Sequence, residues 1–111
     1  MPKIGIVGTR RMDNYKKFKT LIEPVLKEVE VESIISGGAK GIDTLAKHYA
    51  TEMNIDYVEF SPGKKSPFKR NTKIALAADI LIALPDSQST GTYDTIRKAK
   101  KFNKQVIVIK I

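Results

Sequence analysis

Apolar residues follow two rhythms along this chain of 111 residues. Short continuous runs alternate with stretches in which apolar positions recur every three or four residues. The runs are Lys3-Ile-Gly-Ile-Val7, Ser33-Ile-Ile-Ser36, Asp56-Tyr-Val-Glu-Phe60, Asp79-Ile-Leu-Ile-Ala-Leu84 and Gln105-Val-Ile-Val-Ile109. Their length and β-branched content predict five strands. The fourth has the apolar centre that an interior parallel strand requires. Between the runs the spacing predicts helices. One starts near Asp13 as N-cap and carries Tyr15, Phe18, Leu21, Ile22, Val25 and Val29 on one face, with Pro24 predicting a kink or interruption. The clearest places Ile42, Leu45, Ala46, Tyr49, Ala50 and Met53 on one stripe. A short helix is predicted over about 68–77. A last one covers about 92–102, with Tyr93, Ile96 and Ala99 inward.

The order βαβαβαβαβ predicts an α/β fold: one Rossmann-like domain over residues 1–111, with a five-stranded parallel sheet and helices on both faces. The simplest strand order is 3-2-1-4-5. Its switch point lies between strands 1 and 4, and ligands bind beyond the C-terminal strand ends at such points. The length suits a single core.

Composition narrows the chemistry. Hydrophobic residues are 41% and charged residues 29%, the balance of a soluble globular protein. No Cys occurs, which excludes disulfides, thiolate metal sites and a cysteine nucleophile. A single His, His48, makes a His-based metal site or a Ser-His-Asp triad a poor fit. No metal or cofactor is expected. No apolar run approaches the ~20 residues of a membrane span. The start MPKIGIVGTRR lacks a signal peptide's apolar core, so a cytoplasmic, membrane-free protein is expected. The net charge of +8 is unevenly spread. Six basic groups face one acid over 1–22, three face eight over 23–59, and eleven face three over 60–111.

Four segments converge on the predicted strand ends: Gly8-Thr9-Arg10-Arg11, Ser36-Gly37-Gly38-Ala39-Lys40-Gly41-Ile42-Asp43, Lys64 to Asn71, and Pro85 to Thr92. Glycines allow tight turns and close ligand approach. Helix N-termini after Gly38 and Gly91 offer free N–H groups to a phosphate. Ser36, Thr9, Ser89, Thr90 and Thr92 offer hydroxyls, and Arg10 and Arg70 offer bidentate contact. Lys40, Lys64 and Lys65 add charge at the rim. Ser36 and Asp43 would shape the floor, with Asp43 a candidate acceptor for a ribose hydroxyl. Neither G-x-G-x-x-G after strand 1 nor G-x-x-x-x-G-K-[ST] occurs, which disfavours ordinary NAD binding and P-loop chemistry.

Ile34-Ile-Ser-Gly-Gly-Ala-Lys-Gly-Ile-Asp-Thr-Leu-Ala46, with Arg70-Asn71, Ala78 to Pro85 and Ser89-Thr-Gly-Thr92, resembles the SLOG superfamily (Smf/DprA and LOG-like proteins) from Ile4 to Ile109. Size and the Gly-Gly-Ala-Lys-Gly-Ile-Asp form look closest to its small YspA/YpsA-related branch. That resemblance implies a nucleotide or nucleotide-derived anionic ligand, sensed or sequestered. Gly8, Thr9, Arg10, Ser36, Gly37, Gly38, Lys40, Gly41, Asp43, Arg70, Asn71, Ser89, Thr90, Gly91 and Thr92 are its candidate contacts.

Two other activities stay open. LOG-type enzymes cleave the N-glycosidic bond of nucleoside monophosphates. Arg70 matches their arginine and Gly91-Thr92 their Gly-Thr, but Thr95 stands at the catalytic glutamate position. Asp94, faintly like the late-loop carboxylate of nucleoside deoxyribosyltransferases, is the substitute, so Arg70 and Asp94 are the catalytic candidates. The DprA branch implies single-stranded nucleic-acid binding, here a secondary partner because few aromatics remain for base stacking. A homo-oligomer is left open.

Overall fold

Alternation along each strand decides which helix pair it packs against. In β1 (Lys3–Gly8), Ile4 and Ile6 point to one face and Val7 to the other. Ile34 and Ile35 of β2 (Ser33–Ser36) divide in the same way, as do Ile82 and Leu84 against Leu81 and Ala83 of β4 (Ile80–Leu84). The first face receives α1 (Tyr15–Leu26) and α2 (Ile42–Glu52) through Phe18, Ile22, Leu26, Ile42, Leu45, Ala46 and Tyr49. The second receives α3 (Pro67–Ala77) and α4 (Thr90–Lys101) through Ile74, Ala75, Ile96 and Ala99. Each large side chain buried this way contributes about 1.5–3 kcal/mol relative to exposure.

This computed structural model describes residues 1–61 and 67–111. With β3 (Asp56–Glu59) and β5 (Gln105–Val108) at the edges, the parallel sheet runs β3-β2-β1-β4-β5, the order expected from the sequence. The β1–β2 register ends at Gly5 opposite Ile35. Beyond it the buried Ser36 hydroxyl donates to the Ile6 carbonyl at 2.6 Å, taking up an acceptor that the ladder leaves behind. On the other side, β1 stays paired with β4 as far as Gly8 opposite Leu84. Among the described residues, no helix is long and apolar enough to cross a membrane.

Four local expectations differ from the structure. The N-cap of α1 is Asn14, not Asp13: its side chain accepts from the Lys17 N–H at 3.0 Å. Pro24 lies inside α1, which ends two residues later, short of Val29. A proline's lost hydrogen bond and its clash fall on the carbonyl four residues back, so they weaken the last turns, where this helix stops. Met53 falls beyond the end of α2 and is 45% exposed. Tyr93 is also outward; Thr92, Asp94, Thr95, Ile96 and Ala99 form the buried side of α4. A packed face made partly of Thr and Asp is invisible to a count of apolar positions.

Candidate functional site

The sheet order brings three loops to one edge: those after β2, β1 and β4, in that spatial sequence. They frame a cleft of about 300 Å³. Its wall comprises Val7, Gly8, Arg10, Arg11, Ala39, Asp43, Arg70, Asn71, Ile74, Gln88, Ser89, Thr90, Gly91, Thr92 and Thr95.

Glycine packing draws the first two loops together. A Cβ on Gly8 would stand 2.5 Å from the Leu84 carbonyl and 2.9 Å from Ile42 Cβ, so the missing side chain admits the start of α2. The Ile42 N–H then donates to the Thr9 carbonyl at 3.0 Å. Gly38 and Gly41 have φ of +74° and +76°, the left-handed region that favours glycine.

The third loop is anchored by Asp86. Arg11 donates to it bidentately through Nε and Nη2, each at 2.6 Å. The Thr9 hydroxyl donates at 2.6 Å and the Gln88 N–H at 2.8 Å. Hydrogen bonds from Arg11, then Thr9, hold the Asp86 carboxyl well below the usual carboxylate range. Ser89 is the N-cap residue of α4, yet its hydroxyl bonds to Asp86 and makes no side-chain bond to the helix. The α4 N-terminus is thus left without a side-chain cap at the cleft, and a Cβ on Gly91 would meet nothing closer than Asn71 Nδ2 at 3.9 Å.

Consecutive residues of α3 reach opposite ends of this arrangement. Arg70 Nη1 donates to the Gly37 carbonyl at 2.7 Å and its Nε to Asn71 Oδ1 at 3.0 Å. Asn71 Nδ2 donates to the Gly91 carbonyl at 3.2 Å and to Asp94 at 3.1 Å. Two guanidinium donors of Arg70 are therefore already committed.

Asp43 lies in the first turn of α2, is 5% exposed and lines the cleft. It accepts from the Ala39 N–H at 3.2 Å. Burial pushes its carboxyl up to about 6, against the pull of the Ala39 amide, Arg70, Ser36 and Gly37.

Of the residues singled out from the sequence, Gly8, Arg10, Asp43, Arg70, Asn71, Ser89, Thr90, Gly91 and Thr92 meet at the cleft. Thr9, Ser36, Gly37, Gly38, Lys40 and Gly41 shape or border the surrounding loops without forming its wall. Lys64 and Lys65 lie outside the described residues. Asp94 points to the α3–α4 seam, where Asn71, Arg97 and Lys98 all donate to it. Burial would raise its carboxyl, but Lys98 and Asn71 outweigh that and keep it below its ordinary value. Thr95 faces the cleft instead and donates to the Gly91 carbonyl at 3.0 Å. Sequence reasoning missed the organising part of Asp86. The available signal was an acid just past a strand end, with Ser three residues on, a pattern suited to a side-chain-bonded turn.

Comparison with known proteins matches residues 1–62 to the family model described as DNA recombination-mediator protein A. No curated protein matches the chain. Among solved structures, DNA processing protein A from Streptococcus pneumoniae superposes with a TM-score of 0.78 at 20% identity, covering 97% of this chain and 50% of that one. DNA processing protein A from Helicobacter pylori, described for its single-stranded DNA binding mode, gives 0.74 at 23%, covering 96% and 64%. The chain thus spans between half and two thirds of these proteins and shares their fold.

Proposed function

Starting from the fact that the chain belongs to the DNA recombination-mediator protein A family, we propose that its cleft binds a nucleotide or nucleotide-derived anion through the phosphate. One observation carries this reading: Arg10 and the α4 N-terminus, whose cap lacks a side-chain bond, face a single cleft that Gly91 leaves open, with Arg11 held at its edge by Asp86. Backbone N–H groups at a helix start and arginine donors together suit a phosphate. About 300 Å³ is at the lower end of small-molecule sites and suits one nucleotide unit.

Bond cleavage fits less well. An N-glycosidase needs a carboxylate against the anomeric carbon to stabilise the developing positive charge. At the α4 position where LOG-type enzymes carry it, Thr95 presents a hydroxyl, while Asp94 is tied into the seam. The carboxylate among the described cleft residues, Asp43, stands instead in the first turn of α2. The proposed role is therefore sensing or sequestering.

Single-stranded DNA is the second reading. It is favoured by the binding described for the Helicobacter pylori protein, whose fold this chain shares. In that reading the cleft would hold one phosphodiester of a strand.

A thermal-shift screen against nucleoside monophosphates, cyclic nucleotides and ADP-ribose, followed by calorimetry, tests the first reading. A saturable rise in melting temperature is expected, and its absence across all three classes overturns it. Oligonucleotide binding measured across salt concentrations tests the second. Phosphate-driven binding weakens steeply with salt, and flat affinity would exclude it. Chromatography for free base after incubation with monophosphates tests cleavage.

A further inference from the structure

The cleft is chemically polarised. Sheet order sets the first turn of α2, with Asp43, at one end and the first turn of α4 at the other, separated by β1. The α4 end offers N–H groups and hydroxyls. The α2 end offers a carboxylate, which would repel a phosphate placed against it. An anion in this cleft therefore lies with its charge toward α4 and something else toward Asp43.

The Asp43 carboxylate has acceptor capacity to spare. Among the described residues it forms no salt bridge. Ala39 donates to it from the backbone, and Arg70, Ser36 and Gly37 also stabilise its charge without offsetting its burial. The Ser36 hydroxyl sends its own proton to the Ile6 carbonyl, and Arg70 commits Nε and Nη1 to Asn71 and Gly37. An ionised carboxylate presents about four acceptor positions. A neutral ligand group rich in O–H donors suits it best.

Chemistry selects which part of a nucleotide that is: the ribose is its neutral part, and its vicinal hydroxyls are O–H donors.

We infer that Asp43 reads the sugar: the ligand is a ribonucleotide or ribosyl phosphate whose vicinal hydroxyls donate to the Asp43 carboxylate while its phosphate rests at α4. This rests on the nucleotide reading above and adds the sugar to it. Parallel α/β sheets use an acidic side chain on ribose hydroxyls in the same general way.

The experiment measures dissociation constants for ribose 5-phosphate, 2-deoxyribose 5-phosphate and inorganic phosphate, and for AMP, GMP, CMP and UMP beside their 2′-deoxy forms. For the wild-type protein, loss of the 2′-hydroxyl is expected to weaken binding by about ten- to a hundredfold, the scale of a hydrogen bond to a charged group. Asp43→Asn should reduce that preference to within about threefold, because the amide keeps an acceptor but loses the charge. Equal wild-type affinity for ribo and deoxy forms overturns the inference, as does a preference that follows the base instead. A ribo preference that survives Asp43→Asn overturns the assignment to this residue. If inorganic phosphate and ribose 5-phosphate bind while the sugar makes no difference, the phosphate reading stands and only the sugar assignment falls. If no probe binds, both fall.

Discussion

The Arg70 guanidinium occupies the space that a side chain at residue 37 would need. Its Nη1 donates to the Gly37 carbonyl at 2.7 Å, and a Cβ on Gly37 would stand 2.9 Å from its Cζ. Gly37 therefore seats an arginine, which in turn ties α3 to the loop after β2. The same guanidinium contacts Asn71, and Asn71 reaches the start of α4. One short stretch of α3 thus links both ends of the cleft.

Gly37→Ala is expected to displace the guanidinium rather than the backbone, since the far end of a flexible side chain gives way first. Stability should fall by about 1 kcal/mol, the value of one ordinary hydrogen bond, while ligand affinity falls further. Arg70→Lys should resemble it, because an ammonium cannot reproduce the planar fork that meets Gly37 and Asn71 together. Chemical denaturation and calorimetry on both variants check this. Wild-type ligand affinity in both would show that the cleft does not depend on the Arg70 link.

Gly8 and Gly91 both line the cleft but should respond oppositely to alanine. At Gly8 the new Cβ would meet the Leu84 carbonyl at 2.5 Å and Ile42 Cβ at 2.9 Å, atoms that cannot swing aside. Overpacking of this kind costs about 1–3 kcal/mol or more. At Gly91 the space is open, and alanine in a helix is favoured over glycine by up to about 1 kcal/mol. Gly91→Ala should therefore fold at least as well as wild type and bind phosphate more weakly. Melting temperatures would show the divergence, and a destabilised Gly91→Ala would contradict it.

The strand order, the presence of helices on both faces and the meeting of the loops after β1, β2 and β4 were legible because they follow from alternation and spacing. Val7, Ile35 and Ala83 lie on one face and Ile6, Ile34 and Ile82 on the other, as a period of two requires. The contents of the loops were legible only in part. Glycines, hydroxyls and arginines marked the right edge of the sheet, yet Ser36, Thr9 and Gly37 proved to be engaged by Ile6, Asp86 and Arg70. Such pairings join residues far apart in sequence, and no local pattern specifies them. The buried side of α4 was misread at Tyr93 for a related reason: Asp94 is buried because Asn71, Arg97 and Lys98 satisfy it.

Asp43 should make the protein less stable as pH rises. Its carboxyl is raised to about 6 in the fold, against an ordinary value near ~3.9 in the unfolded chain. Between those values the folded state holds the extra proton. Stability therefore falls as pH climbs through that window, by a total on the order of 3 kcal/mol. The groups around the carboxylate are Arg70 from α3, Ser36, Gly37 and Ala39 before α2, and Tyr57 from β3, and desolvation exceeds what they return. Asp43→Asn removes the titration. Its stability advantage over wild type should be larger at pH 7.5 than at pH 4.5 in urea titrations. An advantage independent of pH would mean that Asp43 is not desolvated as described. A destabilising carboxylate in a cleft is the pattern of a residue serving a ligand.

Asp94 should behave as a structural residue, whatever the cleft binds. Its carboxylate accepts from Asn71 at 3.1 Å and from Arg97 and Lys98 at 2.9 Å, and Lys98 also donates to the Phe68 carbonyl at 2.7 Å. The group pins α4 to the first turns of α3. Asp94→Ala would leave Asn71 Nδ2 with only the Gly91 carbonyl and place the Lys98 charge beside an empty site. A fully buried pair costs about 3–5 kcal/mol to break; because Arg97 and Lys98 can reach water, about 2 kcal/mol is expected. Asp94→Asn keeps an acceptor and should lose less. Hydrogen exchange should show α3 and α4 loosening together in Asp94→Ala, with the β1–β2 ladder unaffected. If any base release from monophosphates occurs, its rate should track the folded fraction across these variants. A well-folded Asp94→Asn that had lost such release entirely would return Asp94 to the reacting groups and overturn its structural assignment.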